Sequence, residues 1–433
     1  MKQENSDTYF LLPKLIYASV SALYYSFQSV SILYLSNRWN MKTVDFEKAL
    51  ILSLLCVLFV PLITKAVLRF KVCSYYCVFA ANSMVALVGT IFYLEENHKK
   101  HVETHKNILF FILIGVECLF MPLMTIVEMQ ILEKIKKETP EHINFKSVYG
   151  RQRIFYILTR IILLLGLGYT ITNSEPQNYK LGFYVMLAAG VLFSVLAAVF
   201  IKNETHTTAA EEEPENTNQK RASVFGEIAR NPNIVECLLV ILSYGVIMYI
   251  LSTRLKSYMG DGLKKSVAEI TMVESFGLSI ELLFQFTVTK TLYKIHPFYL
   301  FLSILAIMSA RCFLVYAAPV TDINRIHFFL GDFLRGVASA FYNTASVTFS
   351  RKYAPPGQET FVFSLVSTFH NYIPMPIAGF VGSLATEKID KDKTPPPSYL
   401  LFAITGSALT AVFALTHLFI KYFKSRRFYR HRL

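Results

Sequence analysis

Apolar runs of about twenty residues recur along the whole chain, and this recurrence constrains the fold more than any other feature. A helix rises 1.5 Å per residue, so about twenty residues cross the roughly 30 Å hydrocarbon core of a bilayer. The first six runs cover 10–36, 47–68, 71–93, 108–131, 153–172 and 181–201. The second six cover 233–258, 268–290, 297–318, 326–349, 357–385 and 398–420. Only 17% of the 433 residues are charged and mean hydropathy is +0.41, whereas soluble proteins carry about 25% charged residues. A soluble enzyme and a single-span receptor are both excluded. The expected fold is an all-α membrane protein with twelve transmembrane helices in two six-helix bundles.

A polar stretch at 202–232, with the acidic run Glu211-Glu212-Glu213-Pro214-Glu215, separates the two sets of six and reads as a flexible cytoplasmic linker. The expected domains are therefore an N-terminal bundle over 1–201 and a C-terminal bundle over 233–433 that ends in a basic tail. The net charge of +13 is not a nucleic-acid signature, because Lys and Arg gather at the ends of apolar runs. The tail from Lys421 to Arg432 alone holds six of them. This bias places both termini in the cytoplasm, with Arg254, Lys256, Lys264 and Lys265 as outer-side exceptions. A plasma membrane is the expected location. The sequon Asn203-Glu204-Thr205 falls in the linker and should be unused. The first run is too long for a cleavable signal, carries Lys14 and lacks a small-residue cleavage site. The six cysteines (Cys56, Cys73, Cys77, Cys118, Cys237, Cys312) lie in or beside apolar runs and are read as free thiols.

Ionisable side chains inside spans carry the functional signal, since burying one unpaired costs several kcal/mol. Glu117 and Arg160 lie near the middles of the fourth and fifth spans, where adjacent antiparallel helices could pair them. The second half holds Glu274 and Glu281 on the eighth span, Arg311 on the ninth, and Asp332 with Arg335 on the tenth. Glu281, Arg311 and Arg335 fall within about one turn of the midplane. Glu274 and Glu281 are seven apart and share a face. Asp332 and Arg335 are three apart and could neutralise each other locally. Glu281 with Arg311 is the expected coupling pair, and Glu128 is expected in a structural salt bridge near the cytoplasmic end of its span. His370 and Asn371 occupy the eleventh span, just before Pro374 and Pro376, and the two prolines are read as a mid-span break able to act as a gate. Pro61 and Pro122 are expected to kink the second and fourth spans. Tyr24, Tyr25 and Phe27, with Tyr244 and Tyr249, could line a cavity that stacks a ring.

Readings of another class find less support. His98, His101 and His105 in the loop at 94–107 read as a solvated segment rather than a metal site. No GxxxxGK[ST] phosphate loop is present, which disfavours an ATP-driven pump. A polytopic membrane enzyme or a non-transporting scaffold are the alternatives. No cofactor and no metal is implied.

Four stretches resemble the major facilitator superfamily, and within it the branch of lactose permease-like and nucleoside–proton symporters. Ser147-Val148-Tyr149-Gly150-Arg151-Gln152-Arg153 resembles that branch's Tyr-Gly-Arg-x-Arg element. Glu281, at the end of Ser275-Phe276-Gly277-Leu278-Ser279-Ile280-Glu281, is similar to its eighth-helix acid, and Arg311 to its ninth-helix arginine. The stretch from Gly331 through Arg335-Gly336-Val337 to Ala354-Pro355-Pro356-Gly357 resembles its tenth helix and the turn that follows. The overall style also resembles the nucleotide importers of intracellular parasitic fungi. One departure is the loop Thr64-Lys65-Ala66-Val67-Leu68-Arg69-Phe70-Lys71, which lacks the superfamily's usual Gly and Asp. Another is the tenth span, which has Asp332 and Arg335 where the lactose-permease arrangement has a His and a Glu.

The resemblance implies alternating access, in which two bundles rock about a midplane site. It implies import of a nucleoside or purine nucleotide, with proton coupling through Glu281, Arg311 and Asp332. Glu117, Arg160, Arg335, His370 and Asn371 would contact the substrate. A sugar–proton symporter is the alternative. The expected partners are a small solute and the lipid bilayer, with no nucleic-acid polymer, and the expected state is a monomer.

Overall fold

The computed structural model describes residues 11–97, 102–138, 145–174, 177–201, 226, 230–318, 324–354, 362, 365–384 and 398–430. The described residues form helices joined by short turns, without a strand among them. The helices are α1 (Leu11–Trp39), α2 (Thr43–Leu52), α3 (Leu54–Arg69), α4 (Cys73–Asn97), α5 (Val102–Glu138), α6 (Phe145–Asn173) and α7 (Lys180–Phe200). The later ones are α8 (Pro232–Ser257), α9 (Val267–Thr287), α10 (Thr289–Leu292), α11 (Pro297–Tyr316), α12 (Asn324–Tyr353), α13 (Pro374–Leu384) and α14 (Ser398–Arg430). Eleven of the twelve expected spans coincide with one of these helices or a short series of them, and the described part of the eleventh contains α13. Among the described residues, seven helices are each long and apolar enough to cross a membrane. The second span is divided at Ser53, whose hydroxyl bonds back to the Leu50 carbonyl at 2.5 Å. Pro122 lies inside α5.

Two compact units are present: Met1–His206 with Thr253–Leu282 and Gly379–Thr386, and Thr207–Ser252 with Leu283–Ala378 and Glu387–Leu433. In the first unit α1 is central and packs against α6 and α7. Its buried side chains include Ser19, Ser21, Ser26, Ser29 and Ser31. Small residues let helix backbones approach closely where lipid offers no hydrophobic drive to associate. Gly182 of α7 is one such contact: a Cβ there would stand 2.6 Å from the Ser26 carbonyl oxygen. The opposite face of α7 exposes Leu187, Val191, Val195 and Val199 at four-residue intervals, a stripe suited to lipid. The segment 253–282 joins this unit through the Ala268 amide, which donates to Thr172 Oγ1 at 2.9 Å.

In the second unit α11 packs against α12 and α14. It buries Phe298, Phe301, Ile304, Leu305, Met308, Cys312 and Val315. His296 caps it, its side chain accepting from the Phe298 amide, and Pro297 sits at the start where a missing N–H costs nothing.

The eleventh span is irregular where its two prolines fall. Pro374 is the first residue of α13 and Pro376 lies in its first turn, and the helical backbone runs into them from Ser367 through Ile373. The irregularity comes just before them, as a π-helical turn at Thr368–Tyr372 closed by Ile373 N–H to Thr368 O at 3.1 Å. A second π turn, Tyr258–Gly262, follows α8. Five of the six cysteines are described, and all five are free thiols. The side chains of Cys56, Pro61, His105 and Tyr149–Arg151, and residues His98, His101, Asn203, Glu211–Glu215 and Pro355–Gly357, lie outside the described set.

Candidate functional site

Two carboxylates, one in each unit, serve as bridges between paired cations. In the first unit, Arg160 reaches Glu274 Oε1 from mid-α6, while Lys256, from the last turn of α8, sits 2.8 Å from Glu274 Oε2. Lys256 also approaches the Ser29 carbonyl at 3.5 Å. The Arg160 guanidinium lies over the Tyr25 ring at 4.2 Å, and its Nε is buried without a hydrogen-bond partner. The Tyr156 hydroxyl donates to that of Tyr25 at 3.3 Å. Aromatic stacking and the ion pair together fix the guanidinium plane.

Next along α1, the Tyr24 hydroxyl donates to Glu117 Oε1 at 2.5 Å, and the Tyr24 ring stacks on Phe120 with centroids 3.8 Å apart. Glu117 Oε2 is buried with no hydrogen-bond partner. Glu117 and Arg160 are therefore held by Tyr24 and Glu274 respectively, where sequence adjacency suggested a mutual pair. Tyr24 and Tyr25, ring centroids 4.9 Å apart, link the two polar groups. Glu281 is 8% exposed and lies two turns beyond Glu274 on α9.

In the second unit, Arg311 Nη2 donates to Asp332 Oδ1 at 2.6 Å. Arg335 places Nε and Nη2 on Asp332 Oδ2 at 3.1 and 2.9 Å. Arg311 is only 2% exposed, and its Nε and Nη1 have no hydrogen-bond partner. Within the second unit, the carboxylate bonded to Arg311 is Asp332. Spacing gave the Asp332–Arg335 contact correctly. His370 stacks on Tyr342 with centroids 3.9 Å apart, lies 5.2 Å from the Tyr244 ring, and bonds Asn371 Oδ1 through Nδ1 at 2.6 Å. The π turn sets this register, and Gly245 allows α8 to approach it: a Cβ there would be 2.6 Å from the His370 carbonyl oxygen.

Sequence reasoning missed Lys256, which counted as a loop charge, and Tyr342, hidden in a weakly apolar stretch. It also missed the buried Glu47–Arg254 ion pair, at 2.7 Å in the first unit. An acid opening one span and an arginine closing another were the available signal. Glu128 pairs with Arg153 at 3.8 Å, the structural role expected of it. Among the described residues no cluster of three or more His, Cys, Asp or Glu could hold a metal. The chemistry at hand is charge exchange: shared carboxylates, aromatic faces, and buried guanidinium donors able to take an oxyanion.

A family model described as "MFS_1 like family" matches residues 17–390. No curated protein sequence matches the chain. Among solved structures, that of the nucleoside transporter NupG is similar with a TM-score of 0.69 and 12% identity, covering 94% of this chain and 98% of that one. An auto-inhibited POT family peptide transporter gives 0.64 and 11%, covering 93% and 96%. A bacterial homologue of the iron transporter ferroportin, in an inward-facing state, gives 0.62 and 14%, covering 94% and 98%. At such identities the likeness is one of fold, and it is the twelve-helix fold of major facilitator transporters.

Proposed function

The chain belongs to the MFS_1 like family and is a multi-pass secondary transporter of the major facilitator type, and from that premise we propose that it imports nucleosides or purine nucleotides by alternating access across the plasma membrane. Arg311 carries this reading. A guanidinium that is 2% exposed, with two donor nitrogens unmatched, bears a desolvation cost that an incoming phosphate oxygen would relieve. Arg160 and Arg335 supply further oxyanion contacts, and Glu117 with the Tyr24–Phe120 stack offers a planar base a face and an acceptor. His370 and Asn371, beside Tyr342 and Tyr244, offer a second ring platform. Protonation of Asp332 would release Arg311 from its only bonded carboxylate among the described contacts, and Glu281 is the second carboxylate available for coupling. Pro374 and Pro376 start α13 beside the π turn, where a change in helix register could gate access.

The test is uptake of radiolabelled GTP, ATP, adenosine and glucose into bacteria expressing the protein, at two external pH values. Purine uptake that is abolished in Arg311→Gln and competed by unlabelled nucleotide supports the reading. Glucose uptake that persists in Arg311→Gln, with no purine uptake, sinks it. A pH dependence that survives Glu281→Gln removes the coupling assignment from Glu281, and one whose midpoint is unmoved in Asp332→Glu removes it from Asp332.

A further inference from the structure

Resting on the nucleoside or nucleotide reading, we propose that Lys256 is the specificity residue that lets the Arg160–Glu274 site take a phosphate-bearing substrate in preference to a neutral one. Glu274 spends one oxygen on Arg160 and the other on Lys256 at 2.8 Å. One carboxylate balances one cation, so the group of three carries one positive charge more than a simple ion pair. An arriving phosphate oxygen evens that count, whereas a neutral nucleoside does not.

The two cations are held differently, and this decides which one moves. Arg160 is stacked on Tyr25 at 4.2 Å and clamped at its end by Glu274. Its planar, oriented fork has little freedom left to lose. Lys256 is a point charge on a flexible four-carbon stem, and its second contact, with the Ser29 carbonyl, is long at 3.5 Å. Its side chain is 17% exposed, against 11% for Glu274. Lys256 can therefore swing from Glu274 Oε2 onto a substrate phosphate while Arg160 and Glu274 stay paired. It lies two residues before the Tyr258–Gly262 π turn, a backbone irregularity of the kind that concentrates at functional positions. A purely structural Lys256 would only fasten the end of α8 to α9 and α1, and its loss would slow every substrate alike.

The two roles separate in a selectivity ratio. Purified wild type, Lys256→Gln and Lys256→Arg are reconstituted in liposomes, and kcat/KM is measured for GTP and for guanosine. Lys256→Gln should lower the GTP-to-guanosine ratio about tenfold or more, the worth of one hydrogen bond to a charged group. Lys256→Arg, which keeps the charge on a stiffer forked head, should lose less of the ratio than Lys256→Gln. Lys256→Met replaces the glutamine variant if that protein does not insert. An unchanged ratio in the neutral variant, whether or not total rates fall, overturns the proposal and leaves the purine reading standing. Wild-type protein that moves guanosine but never GTP also overturns it while sparing the nucleoside reading. Wild-type protein that moves neither overturns both.

Discussion

Glu47 and Arg254 are 207 positions apart in sequence, yet Arg254 Nε donates to Glu47 Oε1 at 2.7 Å while Nη2 of the same guanidinium donates to the Gly382 carbonyl at 2.7 Å. The contact ties α2, the end of α8 and α13 together inside the first unit. Glu47 is 2% exposed and Arg254 8%, so the pair is desolvated and neither charge can reach water if its partner is lost. Breaking such a pair from one side costs about 3–5 kcal/mol, while replacing both partners with neutral groups is close to neutral. Arg254→Met should therefore lower the melting temperature in detergent sharply, and Glu47→Gln combined with Arg254→Met should recover most of the loss. Equal destabilisation by the single and double variants would refute this account of the pair.

Gly379 marks where α13 meets α2. A Cβ there would lie 2.6 Å from both the Glu47 carbonyl oxygen and the Ile51 amide nitrogen, and backbone cannot yield as a side chain can. Gly379→Ala should cost about 1–3 kcal/mol through forced separation of the helices. Gly166 provides the internal comparison, because its Cβ would meet nothing within 4 Å. Gly166→Ala should be neutral or stabilising by up to about 1 kcal/mol, since alanine outranks glycine in a helix. Thermal melts of the two variants under one set of conditions decide the matter.

His296 makes one helix cap sensitive to pH. Its Nδ1 accepts the Phe298 amide at 3.3 Å, which places the ring proton on Nε2, facing the Tyr353 hydroxyl at 3.3 Å. Burial first, then the neighbours Lys352, His417 and Lys421, hold His296 below the usual imidazole value. Burial pushes the Tyr353 hydroxyl up to about 12, so it keeps its proton throughout the physiological range. A depressed imidazole pKa stabilises the fold in the neutral form. That contribution is complete above the ordinary value of about 6.5 and is lost as pH falls toward the folded value. Protonation also turns Nδ1 from acceptor to donor and removes the cap. Melting temperature should fall between pH 7 and pH 5, and His296→Asn, which caps without titrating, should flatten that slope. A slope unaltered in His296→Asn would assign the pH response elsewhere.

The spans were legible because membrane thickness imposes a length that composition cannot hide. The Asp332–Arg335 contact was legible too, because three-residue spacing fixes two side chains on one helix face. Arg160 was not. Its depth could be read from its distance to the ends of its span, but depth is one coordinate. The facing direction depends on which helices pack against α6, and Glu274 lies 114 positions further on. Lys256 was misread for a related reason: a basic residue near a span end looks solvated, and only the fold brings it to Glu274. Pro374 and Pro376 signalled an irregularity in the eleventh span, but not its kind. Proline opens a helix as readily as it interrupts one, and the π turn at Thr368–Tyr372 has no signature in its five residues.

A carboxylate shared by two cations makes mutational tolerance one-sided. Neutralising Lys256 leaves Arg160 and Glu274 as a balanced pair, and neutralising Arg335 leaves Arg311 and Asp332 as another. Neutralising Glu274 or Asp332 instead leaves two like charges facing each other in a medium that screens them poorly. A saturation library sorted only for membrane expression should therefore accept many residues at Lys256 and Arg335, and almost none but an acid at Glu274 and Asp332. The same asymmetry bears on how such a chain can change its cargo over generations: the cations can vary to retune selectivity, while the two acids stay as the fixed points around which they vary.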